Sequence, residues 1–201
     1  MDAAFALSDL LSLQLHVFAD DVSEVVDRAL KEDKMQQALE RLDSTWRSLE
    51  FEFEQYRDQE VRLLKMKEED FETLEDNQLV VQGMMASKYL ATFEEQVTAW
   101  QGKLANVSEA LSQMTEVQRK WAYLETLFIG SEEVKKELPD SATRFLEIDK
   151  TFQATCKGMF AAKNAVVASN SEGLLQALEE MGSGLELCEK VWLYHAARPW
   201  P

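Results

Sequence analysis

The chain has 201 residues, 46% of them hydrophobic and 29% charged, so it can bury a core and is not a disordered tail. Seven glycines and three prolines, none before Gly83, leave too little turn punctuation for a β-sandwich or a doubly wound sheet; a mainly helical fold remains. The 21 Lys and Arg against 37 Asp and Glu give a net charge of −16, which disfavours nucleic-acid phosphates and anionic membranes as partners.

Residues 5–18 (FALSDLLSLQLHVF) are densely apolar, with Ser8 and Asp9 as candidate caps of a short helical turn. Phe18, Val22, Val25, Val26, Ala29 and Leu30 then form one stripe of a helix, and Asp20 and Asp21 sit near its start where the macrodipole favours negative charge. A second helix, 34–47, carries Met35, Leu39, Leu42 and Trp46. The same step reaches Leu49, Phe53 and Tyr56, so a coiled-coil continuation competes. However, Leu49-Glu50-Phe51-Glu52-Phe53-Glu54 alternates strictly, which predicts a strand with its glutamates on the wet face. With Val61–Met66 as its partner, 48–66 reads as a β-hairpin, which must lie on a neighbouring element because two strands alone are marginal.

Beyond Lys67 the helical pattern returns through Phe71, Leu74, Gln78, Val81 and Met85, and Gly83 with Ser87 marks a break. Residues 88–115 read as a long helix carrying Tyr89, Phe93, Val97, Trp100, Leu104, Val107 and Leu111. Another carries Val117, Trp121, Leu124 and Phe128 and stops at Gly130-Ser131, with Ser131 capping a short acidic turn. Leu138-Pro139-Asp140 opens a helix through Phe145, Ile148 and Phe152. Gly158 and Asn164 loosen the chain, and a last helix holds Leu174, Leu178, Met181, Leu185 and Cys188. There is no Pro/Ser-rich linker and no repeat of 20–50 residues, so the whole reads as one elongated array of helices and helical hairpins.

The catalytic inventory is short. His16 and His195 are the sole histidines, and His16 among Leu13, Leu15, Val17 and Phe18 reads as structural. Cys156 and Cys188 have no Cys or His at metal spacing; they read as small buried residues of a reduced, intracellular chain. No phosphate-cradling glycine loop occurs, and Gly182-Ser183-Gly184 lacks both a third glycine and a preceding strand. Glu68-Glu69-Asp70 and Glu75-Asp76 lack the spaced loop of a calcium site and read as solvated faces. No run of about 18 apolar residues spans a bilayer, and the start lacks the basic region of a signal peptide. No cofactor, metal or catalytic residue is expected. Trp46, Trp100 and Trp121 lie on apolar stripes, and with Leu124, Phe128 and Phe145 they are the candidate anchors of a structural core.

Three ordered stretches resemble a known family. Val117-Gln118-Arg119-Lys120-Trp121-Ala122-Tyr123-Leu124-Glu125-Thr126-Leu127-Phe128 is similar to the W-x-x-L-E-x-I-F element of dynein heavy chains. It continues through Gly130-Ser131-Glu132-Glu133, Glu137-Leu138-Pro139, Arg144-Phe145 and Ile148-Asp149 in the family's order. Leu74-Glu75-Asp76-Asn77-Gln78, Ser87-Lys88-Tyr89 and Trp100 resemble the segment before it. Glu172-Gly173-Leu174-Leu175 and Leu185–Lys190 resemble the helix approaching the motor. Leu7-Ser8-Asp9-Leu10-Leu11, Leu15-His16 and Phe18 are of the axonemal type, most like outer-arm chains. The likeness covers about residues 5–190.

The resemblance implies that residues 1–190 are the N-terminal part of the linker, preceded by the end of the tail. In that family the linker is a helical lever across an AAA+ ring, swinging with ATP turnover in ciliary motility. The implied partners are the rest of the linker, the AAA+ ring and other dynein subunits, and the implied location is cytoplasm and ciliary axoneme. Nucleotide sites and the microtubule-binding tip lie far downstream in such chains, so no enzyme activity and no direct microtubule binding are expected here. Residues 191–201 depart from the family's Tyr-Leu-Glu helix and Phe-Pro-Arg-Phe turn, so a truncated chain with an unrelated tail is expected. On that view the last helix lacks its covering helices, and 171–201 should be the least stable part and drive self-association. The alternative is a stand-alone helical scaffold such as a spectrin-like spacer, although Trp46, Trp100 and Trp121 do not recur evenly.

Overall fold

The computed structural model describes residues 7–57, 60–65 and 67–197. Among them the chain forms α1 (Leu7–Ser12), a 3-10 turn (Leu15–Phe18) and α2 (Ala19–Ser48), then β1 (Glu52–Gln55) and β2 (Arg62–Lys65). There follow α3 (Glu68–Met85), a second 3-10 turn (Leu90–Thr92), α4 (Glu94–Phe128), α5 (Glu132–Glu137), α6 (Pro139–Ala162), α7 (Ala165–Ser169) and α8 (Leu174–Ala196). The fold is mainly α with one small hairpin, as the scarcity of turn residues requires.

Two pairs of expected helices fuse. The stripes at 22–30 and 35–46 belong to one 30-residue helix, α2, and Phe18 closes the 3-10 turn just before it. No glycine or proline lies between them, and side-chain pairs such as Arg28–Glu32 at 3.0 Å bridge successive turns. Likewise 88–115 and 117–128 are one helix of 35 residues, about 50 Å long. It starts later than expected, at Glu94, because Tyr89 and Phe93 flank a 3-10 turn. Ser87 holds that break: its backbone N–H donates to the Met84 carbonyl and its Oγ accepts from the Tyr89 N–H.

The hairpin forms where alternation placed it, within 48–66. Its antiparallel register pairs Glu52 with Lys65, Phe53 with Leu64, Glu54 with Leu63 and Gln55 with Arg62. Phe51, Val61 and Leu64 are buried, whereas Glu50, Glu52 and Glu54 face water. It does lie on a neighbour: Phe53 meets Phe160 of α6 edge to face at 5.4 Å, and Arg62 stacks over the same ring at 4.2 Å.

Helix α4 is the spine. It packs against α3, α7 and α8, and α8 in turn packs on α6. The buried positions widen along it: Val97 is buried near its start, but Leu104 through Phe128 bury several faces at once, since more elements surround that half. Gly184 lets α8 approach α6 closely; a Cβ there would stand 2.7 Å from Ile148 Cδ1.

Three expectations need correction. Gly158 does not loosen the chain, because α6 runs through it to Ala162. Asn164 ties rather than loosens: its Nδ2 donates to the carbonyls of Trp46, Arg47 and Leu49, and its Oδ1 caps α7 by accepting from the Val167 N–H at 3.0 Å. The stripe of α8 is not left bare. Leu174, Leu178, Met181, Leu185 and Cys188 are all buried, because α4 and α6 of this same chain cover them. The helix continues past Lys190 to Ala196, with Trp192 Nε1 donating to Tyr123 Oη and His195 paired with Glu137 at 2.9 Å. Residues 198–201, including Pro199 and Pro201, lie outside the described residues.

Candidate functional site

What the structure offers as a site is the junction where α4 gathers the hairpin, α6 and α8. Trp121 is its centre. The indole is fully buried, lies 4.5 Å from the Phe152 ring and 5.0 Å from Tyr56, and its Nε1 donates to Asp149 Oδ1 at 2.9 Å. A buried carboxylate needs partners, and Asp149 has a second one in Gln153 Nε2 at 2.9 Å. One turn on, Leu124 is fully buried, and Phe128 stacks on Phe145 at 5.5 Å, both rings without exposed surface. Trp46 is 2% exposed, and Trp100 is half-buried with Lys103 over its ring at 4.8 Å.

Polar clamps fix the surrounding elements to this centre. Gln118 treats β2 as a neighbouring strand would: its Oε1 accepts from the Leu64 N–H at 2.7 Å and its Nε2 donates to the Leu64 carbonyl at 3.1 Å. Glu125 accepts from Arg57 Nη1 at 3.0 Å and Tyr56 Oη at 3.4 Å, holding a hairpin loop in which Arg57 adopts φ 50°. Burial, then the Glu125 charge, raises the Tyr56 phenol above its ordinary pKa. Lys120, 6% exposed, reaches Glu116 at 2.7 Å and Glu186 of α8 at 2.8 Å. Burial opposes its charge, but the two carboxylates outweigh burial and raise its pKa, while Lys120 lowers that of Glu186. Sequence spacing did not reveal these clamps. Asn164 alone carried a usable signal, as a capping residue directly before the apolar run Ala165–Ala168.

Two consequences are measurable. Gln118→Leu keeps the bulk but leaves both Leu64 backbone groups unpaired, which costs about 1–3 kcal/mol. Amide exchange in Arg62–Lys65 should accelerate while α8 keeps its protection; unchanged exchange at Leu64 would show that the clamp holds nothing. Cys156, 1% exposed, has its thiol pushed up to about 12 by burial. A folded-state pKa raised this way favours the native state below the ordinary thiol range and loses that advantage as pH climbs toward 12. The native protein should therefore resist a thiol reagent at pH 8, react after denaturation, and lose stability above about pH 9. A Cys156→Ser variant that keeps the whole alkaline loss would assign it elsewhere.

The remaining chemistry is spare. Among the described residues, no group of three or more His, Cys, Asp or Glu is placed to hold a metal ion, and no helix is long and apolar enough to cross a membrane. His16 lies exposed in the first 3-10 turn.

Comparison with known proteins places this arrangement. The family model described as "Dynein heavy chain, N-terminal region 2" matches residues 1–192. The chain is 49% identical over 190 residues to the "Dynein alpha chain, flagellar outer arm" of Chlamydomonas reinhardtii, covering 94% of this chain and 4% of that protein. It is 43% identical over 191 residues to the "Dynein beta chain, ciliary" of Tripneustes gratilla, covering 95% of this chain and 4% of the relative. It is 42% identical over 191 residues to "Dynein axonemal heavy chain 17" of Homo sapiens, again 95% and 4%. The chain thus spans about 4% of the length of the curated relatives it matches. The Trp121 junction and the helices around it belong to a chain of the dynein heavy chain N-terminal region 2 family.

Proposed function

We propose that residues 1–190 form the N-terminal part of a linker, a mechanical lever segment of an axonemal dynein heavy chain, with no catalysis of its own. The observation that carries this reading is the continuous load path through the junction. The hairpin is bolted to α4 by Gln118 and Glu125, α4 to α8 by Lys120 and Glu186, and α2 to α7 by Asn164. Side-chain hydrogen bonds and a close-packed core resist shear between elements, as a force-transmitting part requires. The relatives' names support an axonemal setting in a cilium or flagellum. In such a chain the partners are the rest of the linker, the AAA+ ring and other dynein subunits. The nucleotide sites and the microtubule-binding tip lie downstream of this segment in such chains. Residues 191–201 are proposed as a tail outside the linker proper. Spacer-type scaffolding has no comparable support, since nothing in the chain repeats.

The experiment is a chimera. This segment replaces the matching one in the Chlamydomonas reinhardtii outer-arm alpha chain, with which it shares 49% identity. Microtubule gliding should persist, and Trp121→Ala in the chimera should slow gliding while ATP hydrolysis continues. Full-speed gliding by a chimera whose junction is demonstrably loosened would sink the lever reading.

A further inference from the structure

The sequence asks for one helix where the structure has two. Between Gly158 and Gly173 stand no glycine and no proline, and Ala161, Ala162, Lys163, Ala165 and Ala168 are good helix formers. Phe152, Met159 and Val166 recur every seven residues, so the apolar stripe of α6 would carry on into α7. Yet α6 ends at Ala162 and α7 begins at Ala165. The break is a tight γ-turn. Lys163 has φ 57° and ψ −54°, and the Asn164 N–H donates to the Ala162 carbonyl at 2.6 Å. That conformation strains a residue with a Cβ. Nothing in the local sequence calls for it.

The end of α2 calls for it instead. Asn164 Nδ2 donates to the carbonyls of Trp46, Arg47 and Leu49 at 2.8, 3.2 and 3.3 Å, at and just past the C-terminus of α2, where the helix itself supplies no donors. The Ala165 N–H donates to the Leu49 carbonyl and the Phe51 N–H to the Lys163 carbonyl, each at 2.9 Å, and Glu50 and Asn164 form a single antiparallel bridge. A straight helix would hand the same donors to its own carbonyls, the Asn164 N–H to Phe160 and the Ala165 N–H to Ala161. For these donors the two arrangements exchange hydrogen bonds rather than lose them. Little apolar area opposes the change, because the fully buried side chains of α7 are the small Ala165, Ala168 and Ser169. The bonds of Asn170 to Asn106 and to the Lys103 carbonyl would part as well. We propose that residues 162–165 are a two-state break: bent while Asn164 grips the end of α2, and straight, with α6 and α7 joined in one helix, when that grip is released. The strain at Lys163 exists only in the bent state and narrows the gap between the two. The placement of the α2 terminus thus decides the course of the chain from α6 into α7. This inference does not rest on the lever reading, because it concerns an equilibrium within the chain.

The test is NMR on the isotopically labelled full chain, as wild type, Asn164→Ala and Lys163→Gly. In the wild type the Cα chemical shift of Lys163 should be that of a residue with positive φ, and the Phe51 amide, whose partner is the Lys163 carbonyl, should be protected from exchange. Asn164→Ala removes the grip. Helical Cα shifts are then expected throughout residues 162–166, and exchange at Phe51 should rise roughly tenfold. Lys163→Gly relieves the strain of the bent state and disfavours the straight helix, so exchange at Phe51 should fall about three- to tenfold. Amides around Trp121 should exchange alike in all three proteins, and near-UV circular dichroism confirms that the tryptophan core is intact. Three results overturn the proposal. One is an unchanged set of shifts in Asn164→Ala, and another is coil shifts there with no gain of helix. The third is exchange at Phe51 that is unchanged or faster in Lys163→Gly, and this variant decides alone if Asn164→Ala does not fold.

Discussion

Trp121→Ala should cost roughly 3–5 kcal/mol in urea unfolding, enough to threaten the fold of a domain this size. Two causes add. The substitution empties a fully buried indole site between Phe152 at 4.5 Å and Tyr56 at 5.0 Å, and it removes the donor that Asp149 Oδ1 accepts from at 2.9 Å. The contributions separate in a Trp121→Phe variant, which keeps most of the ring and loses the N–H. That variant should cost about 1–3 kcal/mol, the penalty of a buried polar group left short of a partner. If Asp149→Ala alone destabilises as much as the pair together, the hydrogen bond rather than the packing dominates. A loss of a few tenths of a kcal/mol for Trp121→Ala would mean that the junction is not the mechanical centre.

The second large effect concerns α8. Leu185→Ala should cost about 2–5 kcal/mol, because the side chain has no exposed surface and lies in the face that α4 and α6 enclose. Native-state exchange should show the amides around Leu178–Leu185 as protected as those around Trp121. The resemblance alone suggested the reverse, a bare last helix that frays. Rapid exchange in α8, or a Leu185→Ala penalty below about 0.5 kcal/mol, would restore that view.

Much of the fold was legible. The scarcity of Gly and Pro pointed to helices, the Phe-Glu alternation at 51–54 favoured a strand over a coiled-coil continuation, and Ser131 announced the cap of α5, where its Oγ accepts from the Val134 N–H at 3.3 Å. These are local signals, expressed within a few residues of chain. The same locality misled where neighbours in space mattered. Nothing within residues 18–46 says that the two stripes share one continuous helix, which is what turns them to different sides, since each reads correctly by itself. Asn164 resembles a loop breaker until its 118-residue reach to the Trp46 carbonyl is seen.

By itself, then, the sequence determined the helical class, the place of the hairpin, the buried character of Trp46, Trp121, Leu124, Phe128 and Phe145, and the family. All of these follow from composition, period and ordered motifs, which are properties of the chain taken in order. Only the tertiary structure decided that Trp100 sits half out of the core, that Gln118, Lys120 and Glu125 are clamps, and that α8 is sealed while the first half of α2 is bare. Whether an apolar stripe is covered depends on which helices reach it across dozens of residues. Packing alone sets that, because the stripe on α8 and the stripe on α2 each read simply as one apolar face of a helix.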